Sequence, residues 1–557
     1  MAYVITQRCC NDASCVAECP VDCIRPRPED PQFATAEMLY IDPDTCIDCG
    51  ACYEACPVDA IYAEEDLPPH LDGFRAVNAG YFERHPLEPD MSPPAPVQRL
   101  PKDLGTLRVA IVGTGPAACY AAEQLMGIGS VEVEMFDRLP TPWGLARYGV
   151  APDHAQTRGV TEMFAAAFKR DSLQMYLNTE IGTHLTHTEL RESAHAVIYA
   201  VGAPSDRRLD IPGEDLPGSH SATEFVAWYN GNPDYADREF DLSGERAVIV
   251  GNGNVALDIA RVLTMEPDEL ARTDIADHAL AALRRSAIRE VVILGRRGLL
   301  QAAYSAPEFR ALGRLDGVDI VVDPADVMLD EAGQTFLDGP DSAYELGLKI
   351  TAAGEYAARP PREGHKRIRF RYCVSPTEIT GDDRVRAVRC VRNELTGPAG
   401  SPSARPTSDH SVIDASLVLR AVGYRGQQIP GLPFDEQRGV LPTESGRVID
   451  TSGAPIPGVY AAGWIKRGPR GVIGSNRADA AETVTAILDD FRSGALIAPL
   501  RDRTALSELV RERQPDMLDR TAWQAVDRAE RAAGAAAGRP RVKLATVEQL
   551  LATARKG

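Results

Sequence analysis

Cysteine is the residue whose spacing points most directly to chemistry in this 557-residue chain, because nine of its twelve cysteines precede residue 57. Cys46, Cys49, Cys52 and Cys56, the last followed by Pro57, are spaced C-x2-C-x2-C-x3-C-P. Three thiolates on one tight loop can reach three irons of an iron–sulfur cubane, while a fourth, placed before proline, is directed to a different cluster. Zinc would want paired C-x2-C hooks separated by a longer spacer. Upstream, Cys9, Cys10, Cys15, Cys19 and Cys23 form an irregular second set, in which Cys19-Pro-Val-Asp mirrors Cys56-Pro-Val-Asp, a sign of internal duplication. Crossing over then assigns Cys46, Cys49, Cys52 and Cys19 to one [4Fe-4S] cluster, and Cys56, Cys15 and Cys9 to a second. Cys119, Cys373 and Cys390 read as buried thiols.

Two glycine turns carry the remaining chemistry. The first follows Leu107-Arg-Val-Ala-Ile-Val and reads Gly113-Thr-Gly115-Pro116-Ala117-Ala118; a helix-compatible run and a second strand ending in Asp137 come next. Gly113 permits the tight turn and Gly115 lets backbone approach a pyrophosphate. Ala118 lets helix and strand pack, and Asp137 can accept from a ribose hydroxyl. The helix N-terminus adds amide donors and a favourable dipole. The second turn is Gly251-Asn252-Gly253-Asn254-Val255-Ala256 after Ala247-Val-Ile-Val, and the next strand, Glu290-Val-Val-Ile-Leu, runs into Gly295-Arg296-Arg297. Where an NAD site keeps an acid, two guanidiniums suit a 2′-phosphate. The second site is therefore expected to take NADP(H) and the first another dinucleotide, FAD by the resemblance that the loop after it carries.

The elements that must position these groups are those of an α/β chain with two Rossmann-like dinucleotide-binding domains. Length allows roughly three or four domains at ~150 residues each. A formal charge of −20 argues against nucleic acid or an anionic membrane as partner. Residues 1–70 alone hold fourteen Asp/Glu against three Lys/Arg. No apolar run approaches the ~20 residues of a membrane span, and no basic-then-apolar leader opens the chain, so a cytoplasmic protein without disulfides is expected. Residues 64–106 are proline-rich, and Met91-Ser-Pro-Pro-Ala-Pro-Val has the composition of an extended tether. The expected division is an iron–sulfur domain over 1–70, a linker over 71–106, a flavin domain over 107–205, a nicotinamide domain over 206–415, and a return to the flavin domain over 416–557. The segment Leu417-Val-Leu-Arg opens that return, and the helices beyond 500 are expected to present solvated polar faces.

After the first βαβ unit comes Pro140-Thr-Pro-Trp-Gly-Leu145-Ala-Arg-Tyr-Gly-Val-Ala-Pro-Asp-His154. This loop resembles the one that lies against the flavin in adrenodoxin reductase and its bacterial ferredoxin–NADP⁺ reductase relatives, and the resemblance continues through nearly all the remaining chain. It implies flavin contacts at Leu145, Arg207, Trp464, Gly471, Val472 and Ile473, a histidine near the flavin at His154, and an acid contacting the nicotinamide nucleotide at Glu308. Ala311 stands where a second glutamate is often found, which puts a histidine–glutamate proton relay in doubt. The head resembles the small α+β seven-iron bacterial ferredoxins, in which three cysteines hold a [3Fe-4S] cluster and one, here Cys23, stays free. The chain departs from them near Cys9, where the interval to Cys15 is two residues shorter and Cys10 is adjacent. That leaves open whether Cys10 completes a second [4Fe-4S] cluster. The resemblance implies a ferredoxin fused to a ferredoxin–NADP⁺ reductase, moving electrons between NADPH and a ferredoxin or cytochrome-type acceptor. Two alternatives are an electron-input subunit like that of glutamate synthase and a non-catalytic redox sensor.

Overall fold

Strand Leu107–Val112 lies inside a seven-stranded sheet, with parallel neighbours on both sides and helices over both faces. A strand buried on both faces is a near-continuous apolar run, as this one is. The computed structural model describes residues 2–87, 100–155, 157–339 and 342–556. The sheet runs in the order Thr443–Glu444, Arg447–Ile449, Pro455–Ala461, Ala196–Tyr199, Leu107–Val112, Val131–Phe136, Leu173–Tyr176. A second, wholly parallel sheet runs Ser219–Ser221, Leu417–Arg420, Arg246–Val250, Glu290–Leu294, Lys366–Arg371, Val318–Val321. A three-stranded antiparallel sheet of Val374–Thr380, Ala387–Thr396 and Ser403–Asp414 flanks it. The chain is thus α/β with two βαβ nucleotide-type units.

Three expectations change. Leu417–Arg420 does not return to the first sheet; it pairs with Arg246–Val250 in the second, so the crossing follows it rather than preceding it at 416. It does for the second turn what Ala196–Tyr199 does for the first. Ala200 N donates to Val112 O (2.8 Å) and Ala421 N to Val250 O (2.7 Å), and both strands run into Ala-Val-Gly, at 200–202 and 421–423.

Helix Gly73–Arg84 occupies the first third of the expected linker and belongs to the head. Phe74, Val77, Tyr81 and Phe82 lie on one helical face and bury against Tyr40, Ile41 and Leu71. The proline-rich stretch 91–97 falls outside the described residues.

The polar faces of the C-terminal helices are not simply solvated. Glu530, on helix Arg520–Ala536, is fully buried and takes both forks of buried Arg147 (2.6 and 3.0 Å), plus Arg541 (2.9 Å). Lys543, also buried, reaches Asp274 of the second unit (3.2 Å). Removing one partner of such a pair leaves a buried charge and costs about 3–5 kcal/mol, so the tail straps the two units together.

The head itself is two short antiparallel ribbons, Tyr3–Ile5 with Ile61–Ala63 and Ile24–Arg25 with Tyr40–Ile41. Its helices Ser14–Glu18 and Ala51–Ala55 carry the cysteine loops. Among the described residues, no helix is long and apolar enough to cross a membrane.

Candidate functional site

Both glycine turns have the geometry that close backbone approach demands. Gly113 (φ 110°) and Gly251 (φ 112°) occupy the left-handed side, where a Cβ would stand 2.4 Å from Ala200 O and 2.2 Å from Ala421 O. No side chain fits there. The second glycine of each turn is open instead: a Cβ on Gly115 would meet only Gly144 Cα at 3.9 Å, and one on Gly253 nothing within 4 Å. Helices Pro116–Met126 and Asn254–Thr264 start there, aiming free amides outward. Ala118 is fully buried under its strand, as close packing requires.

Asp137 Oδ2 accepts from Thr114 N (2.9 Å) and Thr114 Oγ1 (2.5 Å), and Oδ1 accepts from Leu139 N (3.0 Å). The acid therefore fixes the first turn, and the second lone pair of Oδ1 remains for a ribose hydroxyl.

Around Gly115 the structure gathers the segments expected to hold a flavin. A Cβ on Gly144 would stand 2.9 Å from Gly115 Cα, and one on Gly463 2.6 Å from the Ala117 methyl. Gly144 leads into Leu145, which is 38% exposed while Ala146, Arg147 and Tyr148 beside it are buried. Gly463 leads into Trp464, whose ring lies 5.2 Å from Tyr424. Arg207 N donates to Gly423 O (3.0 Å) one residue before Tyr424, and its guanidinium has no partner among the described residues. Gly471, Val472 and Ile473 form the loop that opens helix Asn476–Arg492; Ser475 Oγ and Asn476 Nδ2 hold its carbonyls. An apolar side chain left exposed in a buried loop, an indole at the end of the Gly463 strand and open backbone fit a flat, diphosphate-bearing aromatic group such as FAD.

At the second turn, Tyr304 N donates to Asn252 O (2.9 Å) and Ser305 N to Asn254 Oδ1 (2.8 Å), which brings helix Ala306–Leu312 and its Glu308 to the nucleotide unit. Arg296 and Arg297 are fixed through their carbonyls, which accept from Asn393 Nδ2 (2.9 Å) and Cys373 N (3.0 Å). Neither guanidinium has a hydrogen-bond or ion-pair partner among the described residues, so both are available to a 2′-phosphate. The open turn, the helix amides and these two cations fit NADP(H).

Between the two units lies a charged knot of which the sequence revealed only His154 and Glu308. Arg261, nearly buried, donates to Glu308 Oε2 (2.9 Å), to Asp153 and to His154 Nε2. His154 Nε2 is 3.6 Å from Glu308 Oε2. Burial and then the Arg261 charge push the His154 pKa down, so the imidazole is neutral and accepts from the guanidinium. Burial raises Asp258 well above the usual carboxylate range, against the pull of Arg261 (3.8 Å). Burial opposes the ionised form of Asp153 too, but the Arg261 guanidinium beside it prevails and holds its pKa down. Sequence reasoning missed Arg261; the available signal was Asp258-Ile-Ala-Arg261, an i,i+3 pair on the helix opened by the second turn.

Two sets of cysteines act on one another electrostatically. Burial first, then Cys46, Cys19 and Cys49, raise the Cys52 thiol to about 12. Burial first, then Cys9 and Cys56, raise the Cys15 thiol as well. Backbone amides point at sulfur as they do toward cluster ligands: Leu39 N to Cys9 Sγ (3.4 Å) and Ala60 N to Cys56 Sγ (3.3 Å). The loops and these amides fit iron–sulfur clusters.

The Cys9–Cys56 side of the head is pressed onto the flavin unit. Gly474 N donates to Cys10 O (2.8 Å), Arg477 reaches Asp12 (3.2 Å), and Val58 and Ala60 join the core around Phe164. The head also holds the nicotinamide unit: Lys349 pairs with Glu37 (2.6 Å), and Glu37 accepts from Ala306 N at the start of the Glu308 helix. Near this contact Lys466 and Arg467 both pair with Asp479 (3.2 and 3.6 Å).

Two family models match: a 4Fe-4S binding domain over 39–62 and a pyridine nucleotide-disulphide oxidoreductase over 107–304. Over 561 residues the chain is 48% identical to the "Probable ferredoxin/ferredoxin--NADP reductase" of Mycobacterium tuberculosis (strain ATCC 25618 / H37Rv), covering 100% of this chain and 95% of that one. This chain belongs to the ferredoxin/ferredoxin–NADP reductase family. The "NADPH-ferredoxin reductase FprA" of the same strain is 46% identical over 455 residues, 80% of this chain and 98% of its own. The solved structure "Mycobacterium tuberculosis FprA in complex with NADPH" superposes with a TM-score of 0.76 at 44% identity, covering 81% of this chain and 100% of that one. FprA thus matches four-fifths of this chain and the first relative all of it.

Proposed function

We propose that the chain is an NADPH-dependent ferredoxin reductase that carries its own electron acceptor: FAD on the Gly113 turn, NADPH on the Gly251 turn, and two clusters in the head. Bound at these sites, NADPH would supply a hydride, FAD the means of releasing its electrons one at a time, and the clusters one-electron carriers. The chain's own residues set the stage for this. The turns and helix termini bind the diphosphates, Arg296 and Arg297 select the 2′-phosphate, and Arg261 holds Glu308 and a neutral His154 at the junction of the two units. The Cys46, Cys49, Cys52 and Cys19 group faces outward, with Cys49, Ile47 and Tyr53 exposed among the exposed acids Asp44, Asp48 and Glu54. That surface suits a basic one-electron protein.

The observation that carries this reading is the bond from Gly474, next to the flavin loop, to Cys10 in the cluster loop. It supports a path in which one cysteine group serves the flavin unit and the other serves partners. A sensor has no need of such a path, and an input subunit would need a large partner to turn over. The test is NADPH-dependent reduction of ferricyanide, which accepts from flavin, beside that of a cytochrome. Both proceed with the isolated chain on this reading; absence of both with flavin bound would leave a sensor.

A further inference from the structure

The two cysteine loops of the head repeat each other in register at a spacing of 37: Cys9, Cys15, Cys19 and Pro20 fall on Cys46, Cys52, Cys56 and Pro57. The backbone repeats with them. Helix Ser14–Glu18 falls on Ala51–Ala55. The left-handed residues coincide as well: Asn11 (φ 54°) with Asp48 (φ 58°), Ala13 (φ 60°) with Gly50 (φ 76°), Asp22 (φ 51°) with Asp59 (φ 49°). Cys19 and Cys56 share φ −77° and differ by one degree in ψ, and each sulfur accepts from the amide four residues on, Cys23 N (3.4 Å) and Ala60 N (3.3 Å).

In this register the counterpart of Cys49 is not a cysteine but Asp12. Cys10, the adjacent thiol, is the counterpart of Ile47, which is no ligand, and its side chain is buried in the core of the flavin unit. Asp12 is buried, and both of its oxygens are engaged. Its Oδ1 accepts from Ser14 N (3.0 Å), and its Oδ2 accepts from Tyr120 Oη (3.2 Å) and Arg477 Nη1 (3.2 Å), both residues of the reductase.

We propose that Asp12 is the fourth-corner residue of the cluster held by Cys9, Cys15 and Cys56, and that Tyr120 and Arg477 latch it to the reductase, so that the docked chain carries a three-iron cluster there. The inference rests on the two-cluster reading above. Oxygen is a poorer ligand than thiolate for iron in a sulfide cluster, so a corner served by Asp12 exchanges iron, whereas the corner served by Cys49 keeps it. When the latch is released, a reduced [3Fe-4S]⁰ cluster takes up one Fe²⁺ to give [4Fe-4S]²⁺. The new iron gains bonds to three cluster sulfides and one Asp12 oxygen, no electron is exchanged, and the two hydrogen bonds from Tyr120 and Arg477 are lost. The head's docking thereby sets the composition of the cluster next to the flavin.

The test uses the intact chain, reduced anaerobically with dithionite, soaked in ferrous ion, desalted and reoxidised. Iron is counted per flavin and the three-iron EPR signal recorded. The native chain is expected to keep its iron count and its three-iron signal, and Cys10→Ser to behave identically. Tyr120→Phe combined with Arg477→Gln is expected to gain one iron and lose the signal, and adding Asp12→Asn to that pair to abolish the gain. Asp12→Cys, which needs no release, is expected to hold the extra iron permanently and keeps the proposal testable should the latch variant fold poorly. A native chain that already holds two four-iron clusters overturns the latch. Loss of an iron in Cys10→Ser overturns the assignment of Asp12. Iron for a single cluster in every variant, with no three-iron signal, overturns the two-cluster reading and this inference with it.

Discussion

Replacing Gly474 by alanine should uncouple the head from the flavin unit while leaving flavin and NADPH bound. A Cβ at this position would stand 2.1 Å from Asp12 N and 2.3 Å from both Cys10 O and Asn11 C, where ordinary contact begins at 3.4 Å. All three neighbours are backbone, so no rotamer change relieves the clash and the loop must retreat by about 1 Å. The retreat also breaks the Gly474 N–Cys10 O bond. Overpacking costs about 1–3 kcal/mol and a lost hydrogen bond about 1 kcal/mol net. At ~1.4 kcal/mol per tenfold, the docking equilibrium shifts by roughly 30- to 1,000-fold. The assay compares NADPH–cytochrome with NADPH–ferricyanide turnover, with flavin content read from absorbance. Cytochrome reduction should fall at least roughly tenfold with ferricyanide reduction and flavin content preserved. Equal losses in both, or no loss in either, would refute the idea that electrons leave the flavin unit through this contact.

Other expectations follow from the same geometry. Arg296→Ala with Arg297→Ala should raise the KM for NADPH by roughly ten- to a hundredfold per lost charge-assisted bond and barely touch NADH; equal effects on both nucleotides would move the 2′-phosphate site elsewhere. Cys49→Ser should remove one cluster's iron and leave flavin content unchanged, read by iron assay and absorbance. Asp274 is the pH-sensitive part of the tail strap: burial opposes its charge, but Arg158 and Lys543 outweigh that and hold its pKa down to about 2. A folded value below the unfolded ~3.9 stabilises the chain above pH ~4 by about 2–3 kcal/mol, and that stabilisation is lost as pH falls toward 2. Asp274→Asn should therefore lower the denaturation midpoint at pH 7 and flatten its dependence between pH 4 and 2; an unchanged profile would contradict the pairing.

What was legible in the sequence was local. Turn glycines, the acid after the second strand and the arginine pair occupy short fixed spacings, and a cysteine loop encodes its own cluster. What was missed depends on partners far away in the chain. Leu417–Arg420 is an apolar run that fits either sheet by composition; only the repeated Ala-Val-Gly after it, which matches 200–202, marks it as the second unit's counterpart of Ala196–Tyr199. Helix Gly73–Arg84 does show Phe74, Val77, Tyr81 and Phe82 on one face, but two glycines and the prolines on either side of it mask that period. Glu530 and Lys543 look like solvated charges on an amphipathic tail, because nothing nearby reveals that Arg147 and Asp274, hundreds of residues earlier, bury with them. Arg261 was overlooked for the same reason: its three partners come from two other segments.

Transfer of electrons from NADPH to the head inside one chain is what the docked arrangement predicts. Its most direct test is rapid mixing of the anaerobic chain with NADPH at several protein concentrations, with flavin and cluster absorbance followed together. The structure predicts that cluster bleaching follows flavin reduction at a rate independent of protein concentration, since the Cys10–Asp12 loop already rests on Gly474 and Arg477. A bleaching rate that rises in proportion to protein concentration would show that electrons pass between molecules, and would contradict the docked path.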